Sequence, residues 1–181
     1  VLAGVNFSLY FLILTGKTKS AFKNEELIWY LSLYFGSVII VAANGLISRT
    51  FSSFGEAVHC SLFSMASVIT TTGFSIMDMN VLPWFSKNLI MFIMFFGACA
   101  GSTAGGIKLS RIAIAFKNVK NGLRGIMHPR SVSTVRFNKK EVSPDVVKGV
   151  SFYILLFVLL FAVSMIIVTF DPRADFTTAF S

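Results

Sequence analysis

Charge, cysteine and histidine are all scarce in this chain of 181 residues, and each scarcity removes a class of function. The two cysteines, Cys60 and Cys99, lie in apolar stretches without CxxC or Cys/His spacing, so neither a disulfide framework nor a zinc site is indicated. Both read as buried free thiols. Histidine occurs twice, and only His59 lies in an apolar segment, with Glu56 three residues before it. An enzyme needs a convergent acid, base or nucleophile; this pair reads instead as a polar face or a helix-end contact. Acidic residues number 8 against 16 Lys and Arg, a net charge of +8 that raises the question of nucleic acid. The basic residues fall mainly between apolar runs, where the positive-inside rule already places them, and the nucleic-acid reading is dropped.

What the chain has is apolar surface. Hydrophobic residues make up 55% and there are 20 Phe, more than ordinary soluble domains carry. With a mean hydropathy of +0.76, this is the composition of an integral membrane protein. Val1 follows no basic n-region or cleavage site, and Ser181 comes just after what reads as a helix start. The chain is expected to be an internal piece of a longer protein.

In order, residues 1–14 are apolar but short of the roughly 20 residues that cross a bilayer, and read as the tail of a span. Residues 15–26 form a polar connector with Lys17, Lys19 and Lys23. Residues 27–47 make a full span, anchored at one interface by Trp29 and Tyr30. Ser53 is an N-cap for an apolar segment over 54–69 that would rise only about 24 Å as a helix. That length suits a re-entrant half-helix; a helix lying at the interface is the competing reading. Residues 84–116 present the opposite misfit, since continuous helix there would extend roughly 50 Å. Residues 117–145 are a basic loop with a turn at His128-Pro129, and 146–169 are another span. Asp171-Pro172-Arg173 ends that span, and a new element starts at Asp175.

Between the short and the long segment lies Thr70-Thr71-Thr72-Gly73-Phe74-Ser75. Non-helical backbone at membrane depth is tolerated only where it is buried in protein or lines a watery cavity. The stretch also follows a helix C-terminus, whose carbonyls favour a cation. The long segment has its own break over residues 97–106, Gly-Ala-Cys-Ala-Gly-Ser-Thr-Ala-Gly-Gly, where glycines weaken helix and small hydroxyls satisfy freed backbone groups. Gly101-x-x-x-Gly105 equally fits a small-residue packing motif. A phosphate loop is rejected, because Ile107 separates Gly106 from Lys108 and no strand precedes it.

Lysines 17, 19 and 23 and the basic residues from Lys108 to Lys148 fall on one side, expected to be cytoplasmic, and the hexapeptide then faces outward. An offset of 122 positions relates the span at Leu27 to the one at Gly149, and Ser53-Phe54-x-x-Ala57 to Asp175-Phe176-x-x-Ala179. A duplicated unit of span, half-helix and span follows. This is the unit from which potassium-type filters are built, with backbone carbonyls replacing the ion's hydration shell.

At this point the residues resemble a known family. Ile69-Thr-Thr-Thr-Gly-Phe-Ser75, with Phe96-Gly-Ala-Cys-Ala-Gly-Ser-Thr-Ala-Gly-Gly-Ile-Lys108 following, is similar to the third repeat of the Trk/Ktr/HKT potassium transporter superfamily, in its bacterial TrkH/KtrB branch. The resemblance implies an all-α polytopic membrane protein in which span, re-entrant pore helix and span repeat around one pore. Residues 1–26 would then be the end of one repeat with its connector, 27–116 a complete repeat, 117–145 a basic cytoplasmic loop and 146–181 the start of the next. Carried over by motif, Gly73 is the filter glycine, with Thr71, Thr72 and Phe74 as its neighbours, and potassium is held by backbone at Thr71, Thr72 and Gly73. Gly97, Gly101, Ser102, Thr103, Gly105 and Gly106 fall in an intramembrane gating loop that Lys108 closes.

The resemblance further implies potassium uptake without covalent chemistry, a multi-pass place in the bacterial inner membrane among lipid, and homodimers. It implies no cofactor in this chain, with potassium as the transported ion and a nucleotide on a cytoplasmic regulatory subunit of the TrkA/KtrA type. The basic segment 117–140 could face that subunit or anionic lipid, or be a positive-inside loop and nothing more. Two alternatives stand beside potassium uptake: a sodium-coupled or sodium-conducting relative, and a non-conducting membrane scaffold.

Overall fold

The computed structural model describes residues 1–127 and 134–170. Their elements run α1 (Phe7–Leu14), α2 (Thr18–Phe22), α3 (Glu25–Ile47), α4 (Phe54–Ile69), α5 (Trp84–Ile93), α6 (Leu109–Met127), β1 (Arg136–Phe137), β2 (Lys140–Glu141) and α7 (Pro144–Val168). The chain divides into two units, Val1–Ser110 and Arg111–Ser181.

In the first unit, α3 starts where Asn24 accepts hydrogen bonds from the Glu26 and Leu27 N–H groups at 2.9 and 3.4 Å. Glu25 and Glu26 in the first turn complement the positive end of the helix dipole. Its 23 residues extend roughly 35 Å, enough to cross the hydrocarbon layer. Tyr30, Tyr34, Val38, Val41 and Gly45 are buried at helical spacing on one face. Helix α4 is the main partner of α3 and buries Ala57, Ser61, Ser64 and Met65. Small side chains of this kind let two helices approach closely. The Tyr34 hydroxyl donates across to the Leu62 carbonyl at 3.0 Å, and the Ser86 hydroxyl ties α5 to Asn44 of α3 at 2.8 Å.

The expected N-cap of the half-helix is present: Ser53 Oγ accepts from the Glu56 N–H at 3.2 Å, and Glu56 returns a carboxylate to the Ser52 N–H at 3.0 Å. These reciprocal bonds resemble a capping box and fix where α4 begins. Helix α4 then runs over the 16 residues 54–69, too few to span. Helix also covers Glu25–Ile47 and Pro144–Val168, and these two are the helices among the described residues that are long and apolar enough to cross a membrane.

The long segment does break. Helix α5 stops at Ile93, residues 94–108 are not helical, and α6 begins at Leu109.

In the second unit, the stretch read as a basic loop is more ordered than expected. Helix α6 continues to Met127, because Val119, Leu123 and Ile126 repeat at helical spacing among the basic residues. After it comes a hairpin pairing Arg136 with Glu141 and Phe137 with Lys140. Its two turn residues, Asn138 and Lys139, have φ of 50° and 65°, the pattern of a type I′ turn. Ile114, Val135 and Val150 form the small core of this unit, and the Arg111 guanidinium stacks 3.9 Å over the Tyr153 ring. The His128-Pro129 turn, the Asp171-Pro172-Arg173 break and the element starting at Asp175, with its match to Ser53-Phe54-x-x-Ala57, lie outside the described residues.

Candidate functional site

Helix α4 ends in a way that sets up everything after it. The Thr71 N–H bonds to the Val68 carbonyl at 3.0 Å and the Thr72 N–H to the Ser67 carbonyl at 2.9 Å. These two bonds make a Schellman motif, whose turning residue must adopt a left-handed conformation. That residue is Thr71, at φ +53°. A β-branched side chain is an outlier there, and such strain persists only where the surroundings enforce it.

The enforcing contact comes from the glycine-rich loop. The Gly105 N–H donates to Thr71 Oγ1 at 2.9 Å, joining the hexapeptide to the loop across 34 positions of sequence. Thr70 and Thr72 pair their hydroxyls with each other at 2.7 Å, and the Thr70 hydroxyl also lies 2.6 Å from the Ala66 carbonyl. Gly73 follows at φ +77°, with open space around the position of an added Cβ. Glycine is required there for backbone conformation and not for room. Phe74 is 71% exposed, and Ser75 bonds the Met77 carbonyl.

The loop leaves and rejoins the helices through a narrow neck. The Gly97 N–H donates to the Ile107 carbonyl at 2.8 Å and the Ile107 N–H to the Phe95 carbonyl at 3.1 Å, while Phe96 and Ile107 pair as a parallel bridge. A Cβ on Gly97 would stand 2.2 Å from the Gly105 carbonyl oxygen, and Gly106 adopts φ +74° against the Gly97 backbone. No other residue type fits such an approach without moving backbone.

Inside the neck, Ala98 and Cys99 are fully buried. The Cys99 N–H donates to the Gly4 carbonyl at 3.0 Å, the Phe7 N–H to the Gly101 carbonyl at 3.3 Å, and the Ala100 N–H to Glu26 Oε1 at 2.6 Å. Ser102 turns its hydroxyl onto the Cys99 carbonyl at 2.5 Å. Lys108 closes the far side: its ammonium donates to the Ser102 carbonyl at 3.2 Å and to the Ala104 carbonyl. Thr103, Gly101 and Gly105 are exposed.

Of the residues expected from sequence, then, Thr71 and Gly105 meet directly, Gly97 and Gly106 form the neck, and Lys108 and Ser102 brace the turn. Glu56 and His59 do not converge: the carboxylate caps α4 and His59 is exposed. Glu26 was missed, because a glutamate in a first helical turn already has a local explanation. Among the described residues no cluster of three or more His, Cys, Asp or Glu could hold a metal ion.

The chain is similar over residues 6–181 to the family model TrkH, described as a cation transport protein. It is 27% identical over 178 residues to the Trk system potassium uptake protein TrkH of Escherichia coli K12, covering 98% of this chain and 37% of that one. With the Trk system potassium uptake protein TrkG of the same strain it shares 30% identity over 182 residues, again 100% of this chain against 37% of the relative. Among solved structures, the potassium transporter TrkH from Vibrio parahaemolyticus superposes with a TM-score of 0.90 at 28% identity, over 99% of this chain and 39% of that one. The chain thus spans little more than a third of the length of these relatives.

Proposed function

The chain belongs to the TrkH family of cation transport proteins, and from that premise we propose that it supplies one repeat of a pore for potassium uptake. It is a helical membrane protein and not an enzyme. The filter segment is Thr71, Thr72, Gly73 and Phe74, whose backbone carbonyls replace water around the ion, and residues 97–106 with Lys108 form the gate beside it. One observation carries the reading: the half-helix α4 delivers two successive positive-φ sites, Thr71 and Gly73, directly onto the glycine-rich loop through the Gly105 to Thr71 bond.

Potassium uptake by a transport-deficient cell carrying the full-length protein is the test. Gly73→Asp is expected to abolish uptake, since aspartate at φ +77° strains the backbone and adds a charge beside the ion path. Unchanged uptake would sink the filter assignment. The Trk names of the relatives support potassium over sodium, and competition between the two ions on flux separates uptake selective for potassium from a sodium-coupled or sodium-conducting mode.

The same family reading extends to a homodimer in the bacterial inner membrane with a cytoplasmic nucleotide-binding subunit, and no cofactor bound by this chain. Co-purification of the full-length protein with such a subunit, with and without the basic residues of α6, tests that contact.

A further inference from the structure

We infer that Glu26 is a positioning residue that holds the glycine-rich loop in place from the start of α3, so that its release frees the gate; the effect on flux rests on the function proposed above. Glu26 is only 4% exposed, yet it sits at the head of a helix otherwise built to span a bilayer. A carboxylate removed from water is strongly unfavourable unless it is paired. Its Oε1 takes the Ala100 N–H at 2.6 Å, across 74 positions of sequence. Hydrogen bonds to an ionised acceptor are shorter and about twice as strong as neutral ones. The positive end of α3 favours a negative charge at this position, so the helix itself supports the anchor.

The placement is specific to the loop. Ala100 lies inside the neck, and the neck is closed independently by backbone bonds among Phe95, Gly97 and Ile107. Glu26 is therefore separate from the joint between α5 and α6; it holds the excursion between them, beside the backbone bonds to Gly4 and Phe7. Lys108 performs the complementary task on the other half, donating to the Ser102 and Ala104 carbonyls. An anion thus takes a loop N–H and a cation takes loop carbonyls. Of the two residues, only Lys108 is adjacent to the loop in sequence.

Cys99 provides a direct reporter, since it is fully buried next to Ala100. The experiment uses full-length protein in membrane vesicles, with Cys60→Ser and any cysteines outside this chain replaced, and follows Cys99 labelling by a small maleimide alongside potassium flux. Glu26→Ala is expected to raise the labelling rate about tenfold, the ratio set by losing roughly one charge-assisted hydrogen bond. Glu26→Asp keeps the charge but withdraws the acceptor, and should raise labelling in the same direction. Glu26→Gln keeps an acceptor oxygen without the charge and should label at a rate between the native and alanine values. Should the alanine variant not assemble, the aspartate variant decides alone. Labelling at the native rate in Glu26→Asp overturns the inference. Faster labelling with unchanged flux leaves Glu26 as the loop's anchor and overturns the gate reading instead.

Discussion

Thr71 occupies a backbone region that disfavours a branched side chain by about 1–2 kcal/mol. A glycine would relieve that strain and would lose the hydroxyl that receives the Gly105 N–H. The two demands conflict at one position, and the hydroxyl has prevailed. Thr71→Ser keeps the acceptor and should retain stability and flux; Thr71→Val keeps the shape, loses the acceptor and should lower stability by about 1 kcal/mol in thermal unfolding of the full-length protein. At the neck, Gly97→Ala drives a methyl group onto the Gly105 carbonyl and should destabilise by about 1–3 kcal/mol in the same measurement. Much at this scale was beyond reading from sequence. Gly73 announces itself, because glycine after three threonines between apolar runs has few uses. Nothing local marks Thr71 as left-handed, or Glu26 as the partner of an N–H far along the chain, since both depend on how separate elements meet.

Elements were the most legible scale. Helices α3, α4 and α7 follow from run length alone, because a bilayer sets a minimum span and the half-helix falls short of it. The break in the long segment follows from its glycines, and the Ser53 cap from its place just before the apolar run 54–69. The hairpin and the extension of α6 were hidden, because lysine and arginine at high density read as loop while Val119, Leu123 and Ile126 still keep helical period among them. Asn24→Ala removes the cap of α3 and should cost about 1 kcal/mol of stability, measured by thermal unfolding. Deletion within residues 101–106 should raise potassium flux if the loop obstructs the path; reduced or unaltered conductance in a well-folded deletion would favour the packing reading of Gly101 and Gly105.

At the scale of the molecule, a single segment of the kind proposed for Thr71 to Phe74 cannot surround an ion. The chain covers 37% of the TrkH relative from Escherichia coli, and the carbonyls of a single segment leave most of an ion's hydration shell unreplaced. Residues 1–181 reconstituted alone should give no potassium flux above empty vesicles, whereas the full-length protein should; flux from the isolated chain would require a pore assembled from copies of this one repeat. Pairing of Phe96 with Ile107 has a bearing on descent as well as on stability. Chain that enters and leaves at one point is an appendix, and its length can drift without changing the spacing of the residues that flank it. Length changes in the stretch between Gly97 and Gly106 therefore leave the spacing of α5 and α6 unaltered, while the bonds to Glu26, Thr71 and Lys108 restrict which residues inside it can change.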